Sequence, residues 1–211
     1  MNRITLSLSL LLVVFLLLPV QAQKRRQRNR NVGITTLIAH PAVHKELNLK
    51  DEQKTAPKEA VAEARKGFQA TRELKDKARR TQNREVNQKL RGVIAKTLNE
   101  EQKQRMLQIE LQWSSGAWIL RRAEVSKALE LTREQRREIR ELAKKSQQTT
   151  RKLRATRNDG NRAEVQRKIA AALFYTRESA LKLLTEEQKK NWKKVLGEPF
   201  ELPRRRRKKQ E

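Results

Sequence analysis

Leu131-Thr132-Arg133-Glu134-Gln135 and Leu184-Thr185-Glu186-Glu187-Gln188 are the two stretches whose reading decides the fold. In each, the threonine oxygen can accept from the third helical amide while the glutamine reaches back to the threonine's own amide. That is a capping box, and the leucine just before it sits where a hydrophobic staple begins. Each stretch therefore predicts a helix start. Degenerate copies stand at Leu49-Lys50-Asp51-Glu52-Gln53 and Leu98-Asn99-Glu100-Glu101-Gln102. The first and third copies are 82 residues apart and the second and fourth 86, so the copies match in pairs and the chain reads as an internal duplication. Val43, Leu47 and Leu49 fall on Val125, Leu129 and Leu131, and Met106 and Ile109 on Trp192 and Val195.

Outward from the motifs, apolar positions recur at helical spacing. Val165, Ile169, Ala172, Leu173, Thr176, Ala180, Leu183 and Leu184 form one stripe; Val86, Leu90, Val93, Ile94 and Thr97 form another. Weaker seams follow the first and third copies: Val61, Ala64, Phe68, Thr71, Leu74 and Ala78, and Ile139, Leu142, Ser146, Thr149, Leu153 and Thr156. Asn158-Asp159-Gly160-Asn161 predicts a turn, with a weaker counterpart near Thr81-Gln82-Asn83. Pro57 predicts that the helix after the first copy restarts at residues 55–57. Gly197-Glu198-Pro199 predicts the end of the last helix. The expected fold is all-α: two tandem halves, each a long helical hairpin entered through a short helix near residues 41–47 or 121–129.

Residues 1–22 have the form of a secretory signal peptide, with Arg3, an apolar run from Ile4 to Leu18, and Pro19-Val20-Gln21-Ala22. Lys24, Arg25, Arg26, Arg28 and Arg30 then make a basic segment over 23–36; Arg204, Arg205, Arg206, Arg207, Lys208 and Lys209 dominate a basic tail over 199–211. Both tails are expected to be disordered. Between them lie halves at 37–113 and 121–198, joined by a linker at 114–120. After removal of 1–22 the chain carries 50 basic and 24 acidic residues. Such an excess points to anionic partners. The chain has no cysteine, so disulfides are excluded and redox compartment is not constrained.

The two complete motifs, Leu131, Thr132, Gln135 and Leu184, Thr185, Gln188, resemble the paired LTxxQ motifs of the Spy/CpxP family of periplasmic proteins. Their duplicated arrangement is similar to envelope proteins of planctomycete-type bacteria. The resemblance implies a helical cradle of bent hairpins, export to the periplasm, and ATP-independent chaperoning or envelope-stress sensing. It covers 121–196 well and 39–112 in degenerate form. Members with one motif pair dimerise, so two pairs in one chain imply a fused pseudo-dimer.

His40 and His44 have the i, i+4 spacing of two metal ligands, but Pro41 and the lack of a third ligand favour an ordinary helix entrance. Phe68, Trp113, Trp118, Phe174, Tyr175 and Trp192 suit either core or a client-binding face. No nucleophile–base pair or phosphate loop is present, so the expectation is a non-enzyme without a cofactor. Two functions stay open: an exported chaperone-like protein holding unfolded or envelope clients, and a polyanion-binding protein whose tails engage an anionic envelope polymer, a lipid surface or nucleic acid.

Overall fold

The computed structural model describes residues 32–203; the apolar segment 1–22 and the basic runs at 24–30 and 204–209 lie outside them. Among the described residues the fold is all-α, with no strand. The first half contains α1 (Ile34–Ile38), α2 (Pro41–Glu46), α3 (Asp51–Ala70), α4 (Asp76–Thr97) and α5 (Glu100–Trp113). A 3-10 turn at Ala117–Arg121 opens the second, followed by α6 (Ala123–Ala128), α7 (Arg133–Ala155), α8 (Arg162–Lys182) and α9 (Glu186–Leu196). α3 and α4 pair as one long hairpin, α7 and α8 as the other.

The element starts repeat at the motif offsets: α2, α3, α4 and α5 begin at 41, 51, 76 and 100, and α6, α7, α8 and α9 at 123, 133, 162 and 186. The bends into α3 and α7 share their backbone. Leu49 N–H donates to His44 O at 3.0 Å and Leu131 N–H to Ser126 O at 3.1 Å. Between them Asn48 and Glu130 hold left-handed φ of 47° and 49°. Asparagine tolerates that region well, whereas glutamate is strained there.

Each half has its own core. Leu37, Ile38, Val43, Leu90 and Ile109 lie at the centre of the first, and Ile119, Leu120, Val125, Leu129 and Ile139 at the centre of the second. The segment after α9 then crosses back. Phe200 is buried in the first core, its N–H donates to Gln112 Oε1 at 2.8 Å, and its carbonyl accepts from Trp113 Nε1 at 3.2 Å. Gln112 Nε2 donates to the Leu196 and Glu198 carbonyls at 2.7 and 2.8 Å. Gly197 makes the turn out of α9 with φ 62° and ψ −165°, a backbone conformation essentially confined to glycine.

Several expectations are corrected. α3 runs unbroken from Asp51 through a buried Pro57, so there is no restart at 55–57; Val61 and Ala64 beyond it are buried in the first core, which favours the continuous helix despite the lost backbone bond. The first hairpin turns at residues 71–75, not at Thr81-Gln82-Asn83. Asn83 instead lies within α4 and accepts from Thr71 Oγ1 at 2.9 Å. Leu74 and Ala78 therefore do not continue the α3 seam. On α7 the buried threonine is Thr150, with Thr149 exposed. Residues 34–36 and 199–202 are not free tails, since Ile34 and Phe200 are buried; in the connecting residues 114–120, Ala117, Ile119 and Leu120 are core.

Candidate functional site: glutamine clasps and hairpin surfaces

Three of the four motif copies cap their helices as the spacing predicts. Thr132 Oγ1 accepts from Gln135 N–H and Thr185 Oγ1 from Gln188 N–H, both at 3.2 Å, and Asn99 Oδ1 accepts from Gln102 N–H at 2.8 Å. In return the glutamine carbonyls accept from the cap residues' own N–H groups at 3.0 Å. At the first copy only the return half forms, Lys50 N–H to Gln53 Oε1 at 3.2 Å, because an ammonium group offers no acceptor.

The glutamines have a second role that the capping box does not reveal. Gln53 Nε2 donates to Gln102 Oε1 at 2.8 Å, and Gln102 Nε2 donates back at 3.2 Å. Gln135 and Gln188 make the same reciprocal pair at 2.7 and 3.0 Å. Each amide also reaches a backbone carbonyl: Gln53 to Thr97, Gln135 to Leu183, Gln102 to Leu47 and, more weakly, Gln188 to Glu130. Each pair thus clasps two helix N-termini at the foot of a hairpin. A glutamine amide donates through its NH2 and accepts through its carbonyl, which is what a reciprocal pair needs; a pair of glutamates would oppose two carboxylates at this distance.

Around the clasps the halves diverge. Glu110 is buried between Arg91 and Arg122, forming a two-pronged pair with Arg91 and accepting from Arg122 Nη1 at 2.5 Å. Burial alone would raise its carboxyl, but the Arg91 hydrogen bond and both guanidinium charges hold it below the ordinary glutamate range. At the corresponding positions of the second half stand Arg177 and Leu196, so the arginine persists without its carboxylate. Arg177 instead donates to Ser114 O at 2.8 Å and lies 5.9 Å from the Trp192 ring centroid. Its burial pulls its pKa down, opposed by neighbouring Glu178.

Of the aromatic side chains, Trp113 and Trp192 are core, Phe68 and Phe174 are half-buried, and Trp118 and Tyr175 are exposed. His40 caps α2, its Nδ1 accepting from Ala42 N–H at 3.2 Å, and His44 Nε2 lies 2.6 Å from Ile38 O. Among the described residues no cluster of three potential metal ligands occurs, and no helix is long and apolar enough to cross a membrane.

The largely apolar recess of the first hairpin lies between α3 and α4, about 380 Å³ in volume. Ala60, Ala64, Val86, Leu90 and Val93 line it, with Glu63, Lys66 and Lys89 at its rim. At Gly67 the helices come so close that a Cβ would meet Val86 Cγ2 at 2.7 Å. No family model, curated protein or solved structure matches the chain.

Proposed function

We propose that this chain is an exported, ATP-independent holding protein of the Spy/CpxP type, its halves a duplication folded as a built-in pair. The observation that carries the reading is the pair of glutamine clasps. All four motif glutamines, at two sites and with matching partners, are used to fix hairpin feet rather than to form a reactive centre. A scaffold fixed at its feet leaves the long helical arms as its working surface. The shallow apolar recess with a charged rim supports brief capture of unfolded segments, and release from such contacts needs no nucleotide. Long-range attraction of acidic segments to a basic body would speed encounter.

The test is suppression of aggregation of a near-neutral unfolding client by residues 23–211, without nucleotide, across a salt titration. Protection that weakens with salt but persists supports the holding role; protection abolished by modest salt contradicts it. The second reading, polyanion binding through the tails, is separated by deleting residues 23–30 and 204–211. Holding should survive that deletion, whereas tail-driven binding should fall steeply and lose much of its salt dependence.

A further inference from the structure

We propose that the exposed flank of α7 binds the phosphate backbone of double-stranded nucleic acid without reading its sequence. Its residues are distinct from those that line the recess of the first hairpin.

The inference begins with helix geometry. Successive side chains turn by about 100°, so Arg133, Arg137, Arg140, Lys144, Arg151 and Arg154 fall within an arc of about 100° on one flank of α7. All six are exposed, and the other residues in the arc are Arg136, Gln147 and Ala155. The acidic residues Glu134, Glu138 and Glu141 gather on the adjoining exposed flank, where Lys144 approaches Glu141 at 3.8 Å. The buried seam of Ile139, Ser146 and Thr150 lies between these flanks and holds α7 against α8.

The stripe is absent from α3, the helix of the first hairpin that corresponds to α7. At the corresponding positions of the first stand Asp51, Thr55, Lys58, Ala62, Gln69 and Arg72. α7 has nine basic residues against three acidic, whereas α3 has four against four. α4 is basic too, with seven against two, but its Arg91 is committed to the buried Glu110, whereas the α7 cations face outward along the whole helix. From Arg133 to Arg154 the stripe is about 32 Å long, close to one turn of duplex, roughly 34 to 36 Å.

The chemistry of the flank selects among anions. Six of its seven cations are guanidinium groups, whose planar donor fork suits phosphate. α7 has no aromatic residue on which an unpaired base could stack, which disfavours single strands. The exposed large apolar side chains among the described residues, Trp118 and Tyr175, lie outside α7, so the flank lacks an anchor for a lipid surface. Duplex, with its phosphates displayed outward, fits what remains.

The experiment uses the whole chain with its tails and follows fluorescence anisotropy of a mixed-sequence duplex of about 20 base pairs, two helical turns, across a salt series. Arg137→Gln, Arg140→Gln, Lys144→Gln and Arg154→Gln are combined in one variant. Lys58→Gln, Arg65→Gln, Lys66→Gln and Arg72→Gln form a charge-matched control in the first hairpin. All eight side chains are exposed, and circular dichroism checks that both variants fold. The α7 variant should bind about tenfold or more weakly, and its slope of log affinity against log salt should flatten by about 3.6. The control should stay within about threefold of the unaltered chain. Arg137→Lys, Arg140→Lys and Arg154→Lys together should restore most of the binding. Equal losses in both variants would overturn the proposal by showing that net charge and tails suffice. It would equally fail if the α7 variant lost binding to vesicles of phosphatidylglycerol and phosphatidylcholine in equal parts but kept its affinity for duplex.

Discussion

The two hairpins share their foot and differ along their arms. Both are fastened by a reciprocal glutamine pair on the same two helix starts. The first has a charge-balanced outer helix, a proline in α3 and a recess opening on apolar side chains. The second has a proline-free α7 with a complete N-terminal capping box and a basic flank. The difference teaches that the motif residues hold the repeated geometry while the arms are free to diverge. Divergence reaches the interior as well, where Arg91 keeps a buried carboxylate and Arg177 has a carbonyl and an indole.

That interior contrast gives the largest expected effect. Glu110→Gln removes the shared anion of two arginines and should cost about 3 kcal/mol at neutral pH by urea unfolding. Because the folded-state carboxyl is depressed, its stabilisation is complete above the ordinary glutamate range and is lost as pH falls through the lower folded value. The gap between variant and unaltered chain should therefore narrow below about pH 4. Arg177→Gln should cost only about 1 kcal/mol, with no such narrowing; equal costs would erase the distinction between the halves.

Next comes the proline. Pro57→Ala restores a backbone donor inside α3 and should stabilise by about 1 to 2 kcal/mol after loss of some buried ring contact. A destabilised variant would mean that the ring's packing outweighs the missing hydrogen bond.

Completing the first cap should help less. Lys50→Thr is expected to stabilise by about 0.5 to 1 kcal/mol, and Thr132→Lys to destabilise by a similar amount. If thermal melts show neither change, the cap hydroxyl contributes nothing measurable in either half. The smallest effect is expected at the left-handed bends, where Glu130→Asn should gain about 0.5 kcal/mol. Asn48→Glu should reverse it.

Much of this architecture was legible in the sequence because caps and seams are local. Helix starts at 51, 100, 133 and 186 follow from the motif copies, and the pairing of copies gives the offsets at which elements recur. The first hairpin turn was misplaced because residues 71–75 contain neither glycine nor asparagine, while Asn83 looked like punctuation. The 86-residue offset from Asn158-Asp159-Gly160-Asn161 points to 72–75 and was the usable signal. The clasps were hidden for a different reason. A capping box accounts for one face of each glutamine, and the partner lies 49 or 53 residues away, beyond any local pattern. Glu110 gave a weak hint, lying between Ile109 and Leu111 at the position where the second half has Leu196.

The central claim is that both hairpins are fastened by the same side-chain pair, so the most direct measurement is two double-mutant cycles by chemical unfolding. One uses Gln53→Ala with Gln102→Ala, the other Gln135→Ala with Gln188→Ala. The account predicts favourable coupling of about 1 kcal/mol or more in each cycle, beyond the cost of the individual caps. Strictly additive losses in either half would contradict it, leaving the motif glutamines as helix caps alone.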